Sequence, residues 1–374
     1  MKKKVALIFG GRSLESDISV ITAMQVLRNI DKAQYLVELV FMFEGDFYVK
    51  NLDDIKQFAP FNPLDHAKAM LYRGVFYTIK RNAISKYFKP DIAFICCHGG
   101  EGENGTLQAI LEFNGVPHTS AGVLGSAVGM DKAHAKEMFD SMLFNIIPHE
   151  TITRQEFVAD HEKVMFHLES FLNYPLIVKP SAQGSSIGIG VANNREELMF
   201  ALEVASKFDN KIIVEQKLTD FVEVNCAAFR DGNEIVLSET EQPVSYHDFL
   251  TFEDKYMVDG KMSESGHQIP APIGNLEMII LANTERVYRE LDLNGVIRVD
   301  YLVDKTRNKV YINEINTVPG SMAFYLFEPR GISFKMLTTK LLENAVTYFD
   351  ERRIQHIFKT NVLCQYKGTG KIRK

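Results

Sequence analysis

Three apolar runs in this chain stop at a glycine-rich polar loop. Lys4–Phe9 meets Gly10 and Gly11, the run from Pro90 to Cys97 meets HGGEGENG at 98–105, and PLIVK at 175–179 meets PSAQGSSIGIG at 180–190. Short continuous apolar runs suit buried strands. The first is followed by a helical pattern from about Asp17 to Asn29, with Ile18, Ile21, Val26 and Leu27 apolar. The second leads to a helix over Thr106–Phe113 that stops at Asn114-Gly115. Strand, glycine loop and helix in that order open a doubly wound α/β domain, where ligands bind at the carboxyl ends of the strands. Tyr35–Phe43 supplies a second strand, and residues 44–90 read as an irregular insertion. The third glycine of a dinucleotide fingerprint is missing after the first strand, which argues against a dehydrogenase.

A second feature is local. Val296–Gly320 reads VIRVDYLVDKTRNKVYINEINTVPG, two β-rich runs around a polar turn at Asp304–Lys309. Alternation puts Arg298 and Asp300 on one face and Ile297, Val299 and Tyr301 on the other. A hairpin that pairs residue 300 with 314 also pairs 298 with 316, gathering Arg298, Asp300, Glu314 and Asn316 on one face. Such a face is either the solvated side of an antiparallel sheet or a set of hard oxygen ligands for magnesium beside an oxyanion-stabilising arginine. The glycine-serine loop at 180–190 favours the second. Its glycines let backbone N–H groups approach phosphate oxygens, its serines add donors, and Lys179 stands at its entrance. Glu15 reads equally as a helix-start carboxylate or a functional one. His98 is a strand-end histidine in the same layer. Lys132 and Lys136 share a helix face over Met130–Ser141, a pattern usually solvated.

The chain has 374 residues, 46% hydrophobic and 24% charged, enough for two or three domains. A net charge of −6 without a long basic run argues against nucleic acid as partner. No apolar run approaches a membrane span, and Val5–Phe9 is too short for a signal-peptide core. Cys96, Cys97, Cys226 and Cys364 have no zinc or disulfide spacing, so a cytoplasmic setting is expected, with Cys96 and Cys97 as packing residues. Further strands are expected at Lys211–Glu215, Val222–Phe229 and Glu234–Glu239, helices at Glu196–Lys207, Asn275–Leu291 and Ser333–Tyr348, and a lid-like surface loop at 244–272.

The ordered markers GGRSLESDIS, HGGEGENGTLQ, MDKAHAK, VKPSAQGSSIGIG, VEQKL, EDKY, RVDYL and NEINTVPG resemble the D-alanine–D-alanine ligase family of the ATP-grasp superfamily, from Val5 to about Ala345. The resemblance implies three domains: 1–121, an α/β substrate-binding domain with a doubly wound parallel sheet; 122–217, a central ATP-grasp subdomain; and 218–374, a C-terminal subdomain with the lid and metal site. It implies a homodimer, ATP and D-alanine as substrates, and two magnesium ions, or manganese, on Asp300, Glu314 and Asn316. Lys132, Lys179, Ser185 and Ser186 are expected on ATP phosphates, and Lys255 on the transferred phosphate. Glu215 is expected at the adenine hinge. Glu223 is expected at the ribose, with one inserted residue between these two glutamates. Arg298 and the Gly320 N–H are expected at the tetrahedral intermediate. Glu15 is expected on the first substrate's ammonium, linked to Ser185 and Tyr256, with His98 lining the second-substrate pocket. Tyr256 resembles the dipeptide-forming class, where phenylalanine accompanies ester formation. Two positions depart from the family's pattern. Asp17 replaces a more usual glutamate, and Tyr325 stands where a serine usually binds the second substrate's carboxylate; Tyr325 or Ser321 is expected to make that bond. The departure at Tyr325 leaves open another acceptor, such as D-serine, D-lactate or another amino acid. A nucleotide-binding regulator without catalysis is disfavoured by the complete set of lysine, arginine and carboxylates.

Overall fold

A computed structural model of the protein describes residues 1–81, 83–184, 187–243 and 267–352. Ser185, Ser186, Lys255, Tyr256, residues 244–266 of the expected lid, and Cys364 lie outside the described residues.

The N-terminal part contains β1 (Lys3–Gly10), α1 (Ser16–Asn29), β2 (Tyr35–Phe43), β3 (Asp46–Val49), β4 (Ala67–Tyr72), β5 (Val75–Lys80), β6 (Ala83–Phe88), β7 (Ile92–Ile95), α2 (Gly100–Glu103) and α3 (Thr106–Phe113). One sheet runs β6-β5-β4-β3-β2-β1-β7. Strand β1 lies parallel to β2 and β7 and is covered on both faces, with Val5 to Phe9 fully buried, as its unbroken apolar run requires. Residues 44–90 are not the irregular insertion expected. They form an antiparallel meander, β3 to β6, that extends the parallel core. Its last strand has four exposed residues, Ala83 to Lys86, so it carries little of the apolar signal that marks a strand in sequence.

The middle of the chain forms α4 (Gly122–Met130), α5 (Lys132–Ser141), β8 (His149–Thr153), α6 (Arg154–Ala159), α7 (His161–Phe171), β9 (Leu176–Pro180), β10 (Gly190–Ala192), α8 (Arg195–Ala205) and β11 (Lys211–Gln216). The strands make an antiparallel sheet in the order β10-β9-β11-β8. Side-chain caps fix the helix starts: Asp131 for α5, Thr153 with Glu156 for α6, and Asn194 for α8.

The C-terminal part contains β12 (Val222–Asp231), β13 (Glu234–Pro243), β14 (His267–Gln268), α9 (Leu276–Glu290), β15 (Val296–Asp304), β16 (Lys309–Asn316) and α10 (Phe334–Glu351). Its sheet runs β14-β13-β12-β15-β16. The hairpin's apolar face, with Ile297, Val299, Tyr301 and Ile312, packs on Ile280, Val287 and Tyr288 of α9. Phe334, Leu337 and Leu341 of α10 join the same core as Val5, Phe9 and Phe94 of the first sheet. The first and last parts of the chain therefore share one hydrophobic core. Among the described residues no helix is long and apolar enough to cross a membrane.

Glycine is required for space just after β7. A Cβ on Gly102 would lie 2.2 Å from the Cβ of buried Cys97, which cannot swing aside. Gly102→Ala is expected to cost about 1–3 kcal/mol, read as a lowered thermal midpoint. An unchanged midpoint would show that the loop after β7 yields to an added methyl group.

Candidate active site

Antiparallel pairing brings the hairpin's polar residues together in the expected register, Arg298 opposite Asn316 and Asp300 opposite Glu314. A bulge between Asp300 and Tyr301 follows, so the alternation ends where the polar set ends. The Arg298 guanidinium forks onto Asp300, Nε to Oδ1 at 2.6 Å and Nη2 to Oδ2 at 2.8 Å. Asn316 Nδ2 donates to Asp300 Oδ2 at 3.0 Å. Burial works against the charge of Arg298, but Asp300 outweighs it and holds the pKa well above the ordinary arginine value.

Two carboxylates and an amide suit a hard divalent cation. Among the described residues no group of three or more His, Cys, Asp or Glu could hold a metal, so any such set here depends on the amide of Asn316 as its third member. By donor chemistry the residues fit magnesium.

Cations from the middle of the chain face this set. Lys132 Nζ lies 3.4 Å from Glu314 Oε2 and donates to the carbonyl of Gln183 in the glycine-serine loop at 2.7 Å. Lys179 Nζ donates to Glu215 Oε2 at 2.5 Å, and Lys136 Nζ lies 2.8 Å from Glu215 Oε1. One carboxylate thus sits between two ammonium groups, with Glu215 and Lys136 each 1% exposed. Burial would raise the Glu215 pKa, but the two lysines hold it well below the carboxylate range. Burial also lowers the Lys136 pKa, whereas Glu215 outweighs burial at Lys179 and raises it. The charge of Lys179 adds to burial in lowering the Lys136 pKa. Glu314 and Glu223 also act on Lys179. Glu223 itself lies on β12 opposite Leu302.

The glycine loops close round Glu15. A Cβ on Gly184 would lie 2.6 Å from Glu15 Oε2, and one on Gly99 would lie 2.9 Å away. With no Cβ at either position, both backbones come near the carboxylate. His98 is buried, with Nδ1 2.7 Å from the Val318 carbonyl and Nε2 2.8 Å from Thr22 Oγ1. Burial lowers its pKa, although the charge of Glu15 opposes this. Gly320 begins a tight segment, Gly320–Leu326, in which Ser321, Met322 and Ala323 all have positive φ. The N–H of Ser321 donates to Thr22 Oγ1 at 3.2 Å. Tyr325 donates its single phenolic proton to Glu241 Oε2 at 3.0 Å. Burial and then the Glu241 charge push that phenol well above the ordinary tyrosine pKa.

Comparison with known proteins gives the family. The family model described as D-ala D-ala ligase N-terminus matches residues 4–121, and that described as D-ala D-ala ligase C-terminus matches residues 138–343. The D-alanine–D-alanine ligase of Ruminiclostridium cellulolyticum is 35% identical, covering 97% of this chain and 99% of that protein. The chain belongs to the D-alanine–D-alanine ligase family. The ligase of Thermosipho melanesiensis is 32% identical over 96% of this chain and 98% of its own. Among solved structures, the VanG D-Ala:D-Ser ligase of Enterococcus faecalis superposes with a TM-score of 0.78 at 27% identity, covering 92% of this chain and all of that one (100%). The D-alanine–D-alanine ligase of Coxiella burnetii, at 24% identity and a TM-score of 0.75, covers 94% of this chain and 97% of its own and shares the fold. The α/β ATP-grasp fold with a parallel sheet in its N-terminal part, which the family markers implied, is the one found.

The spacing of Lys132 and Lys136 suggests a solvated pair, but Lys136 is 1% exposed. Its burial was legible: Ala133, Lys136 and Phe139 share a helix face, all three buried, so a lysine interrupts an apolar stripe. Glu241 was not singled out from sequence. It is 1% exposed, bonded to Tyr325 and Asn225, and in contact with His267. Asp131, Ser181 and Lys211 brace the base of the glycine-serine loop, with Lys211 Nζ 2.6 Å from Asp131 Oδ2 and Ser181 Oγ 2.6 Å from Asp131 Oδ1.

Proposed function

We propose that this chain joins two D-alanines at the expense of ATP, giving D-alanyl-D-alanine, ADP and phosphate for peptidoglycan precursor synthesis. The observation that carries the reading is the meeting of Arg298, Asp300, Glu314 and Asn316 with Lys132 and the glycine-serine loop, in a chain matched by both family models. A carboxylate has no good leaving group. Transfer of the γ-phosphoryl group to the first D-alanine makes a D-alanyl phosphate. The amine of the second D-alanine attacks its carbonyl carbon, the tetrahedral oxyanion collapses, and phosphate leaves.

In this reading Glu15 holds the ammonium of the first D-alanine, and Lys132 and Lys179 bind ATP phosphates. Arg298 and the Gly320 N–H stabilise the oxyanion. Asp300, Glu314 and Asn316 hold magnesium, which when bound neutralises charge on the phosphates. Glu215 marks the adenine hinge, while its carboxylate, taken by lysines, acts as their shared counter-ion. Ser185, Ser186, Lys255 and Tyr256 complete the phosphate and lid contacts. Glu223 holds the ribose, and His98 and Ser321 border the second-substrate pocket. The reading retains the three domain ranges 1–121, 122–217 and 218–374, a homodimer and a cytoplasmic setting.

The acceptor side supports a second reading. While Tyr325 donates to Glu241, its oxygen has no proton for the second substrate's carboxylate but can accept from a side-chain hydroxyl, as D-serine carries. Incubation with ATP, magnesium, D-alanine and a panel of D-alanine, D-serine and D-lactate, with products identified by mass, separates the two. D-Alanyl-D-alanine with equimolar phosphate is expected from D-alanine alone. Product only with another acceptor would overturn the leading reading.

A further inference from the structure

The carboxylate of Glu103, at the end of α2, is 8% exposed and accepts four hydrogen bonds. Oε2 accepts from the Gly99 N–H at 2.9 Å. Oε1 accepts from the Thr317 N–H at 3.0 Å, the Thr317 hydroxyl at 3.2 Å and the Val318 N–H at 2.9 Å. Three of the four donors come from a segment more than two hundred residues further along the chain. Beside it, His98 Nδ1 faces the Val318 carbonyl, which can only accept, so Nδ1 carries the proton and Nε2 offers a lone pair. Thr22 then donates its hydroxyl to Nε2 while its oxygen accepts the Ser321 N–H. The direction of every bond in this chain is fixed by a neutral His98, which its burial favours.

The segment so held runs from Thr317 to Ser321. It follows directly on Asn316 and contains Gly320. It enters a turn of three consecutive left-handed residues, Ser321 to Ala323, a conformation that costs non-glycine residues energy and persists only where surroundings enforce it. Thr22, His98, Gly99 and Glu103 all belong to the N-terminal part of the chain, whereas Asn316 and Gly320 belong to the C-terminal part.

We propose that Glu103 is a positioning residue for the ligase reaction, which, with His98 and Thr22, clasps Thr317–Ser321 so that Asn316 and Gly320 are held in place only when the N-terminal part is docked. This rests on the function proposed above. Glu103 touches neither substrate nor reacting atom. It acts through the backbone of Thr317 and Val318.

Glu103→Gln tests it. An amide has one accepting end, so its NH2 must face either Gly99 N–H or the Thr317–Val318 donors, and one side of the clasp opens. The expected result is a fall of about 10- to 100-fold in kcat, the range seen when groups that orient ligands from behind are lost, with KM for ATP little changed. Amide hydrogen exchange at Thr317 and Val318 should be faster in the same variant, with or without substrates. Glu103→Asp, which keeps both accepting oxygens, should recover part of kcat. Thr22→Val keeps the buried volume and removes only the hydroxyl, and it should lower kcat in the same way, so it decides the matter if Glu103→Gln does not fold. Unchanged exchange at Thr317 and Val318, or an unchanged kcat in folded Glu103→Gln, would overturn the proposal. Failure of the ligase reading would instead appear in the wild-type protein as absence of dipeptide, while the exchange measurement would still report on the clasp.

Discussion

Glu215→Ala is expected to destabilise the protein by about 3–5 kcal/mol, the cost of stranding a buried charge whose partner is removed. Here two charges are stranded, since Lys136 and Lys179 both rely on this carboxylate. Native domains have only about 5–15 kcal/mol in hand, so the variant should melt much earlier or fail to accumulate. Glu215→Gln, which keeps the shape and loses the charge, should fall between the two. Lys136→Met is the informative control. It leaves the buried carboxylate with one ammonium and should cost less than Glu215→Ala in denaturant titration. Equal stability of Glu215→Ala and wild type would mean that water reaches the lysines and that the triad is not a buried unit.

The pH dependence follows with a definite sign. The two lysines hold the folded-state pKa of Glu215 below its unfolded value. The resulting stability is fully present above the unfolded pKa, about 4.3, and is lost as pH falls toward the folded value. The wild-type midpoint should therefore drop through that acid window, and this part of the slope should be absent in Glu215→Gln.

What was legible in the sequence and what was not divides along physical lines. The hairpin register followed from a period of two and one pairing, because a one-residue slip would have buried Arg298 and Asp300 and exposed Val299 and Tyr301. The strands β1, β7 and β9 were legible because their apolar runs are unbroken. The meander from β3 to β6 was not, since its outer strand is mostly exposed and reads as loop. Nor was the helix α4, whose buried residues are Gly122, Gly125, Ser126 and Gly129 and make no apolar stripe. The family markers brought Glu15, Lys132, Lys179 and the hairpin set together. The braces behind them, Glu103 on Thr317 and Glu241 on Tyr325, join residues distant in sequence and leave no local pattern. His98 shows the limit most plainly. Its place at the strand end was evident, but that both nitrogens are already engaged within the fold was not.

Glu314→Gln is expected to lower turnover by on the order of 10³-fold, the effect of losing several kcal/mol of charge stabilisation around a transferring phosphoryl group. The substitution keeps the length and one oxygen of the side chain but removes its charge. It takes one of the two carboxylates from the proposed magnesium set and weakens the counter-charge to Lys132, which lies 3.4 Å away. The fold should tolerate this, because Glu314 is 24% exposed and lies on the polar face of an edge strand. A thermal midpoint near the wild-type value, together with a magnesium requirement shifted to higher concentration, would locate the loss in metal binding. Asp300→Asn should differ in kind. Asp300 is also the partner that holds the Arg298 fork, so its loss should lower the thermal midpoint as well as turnover. If Glu314→Gln retains full ligase activity at limiting magnesium, the hairpin's polar face does not hold the metal, and the cation must be placed elsewhere on the nucleotide.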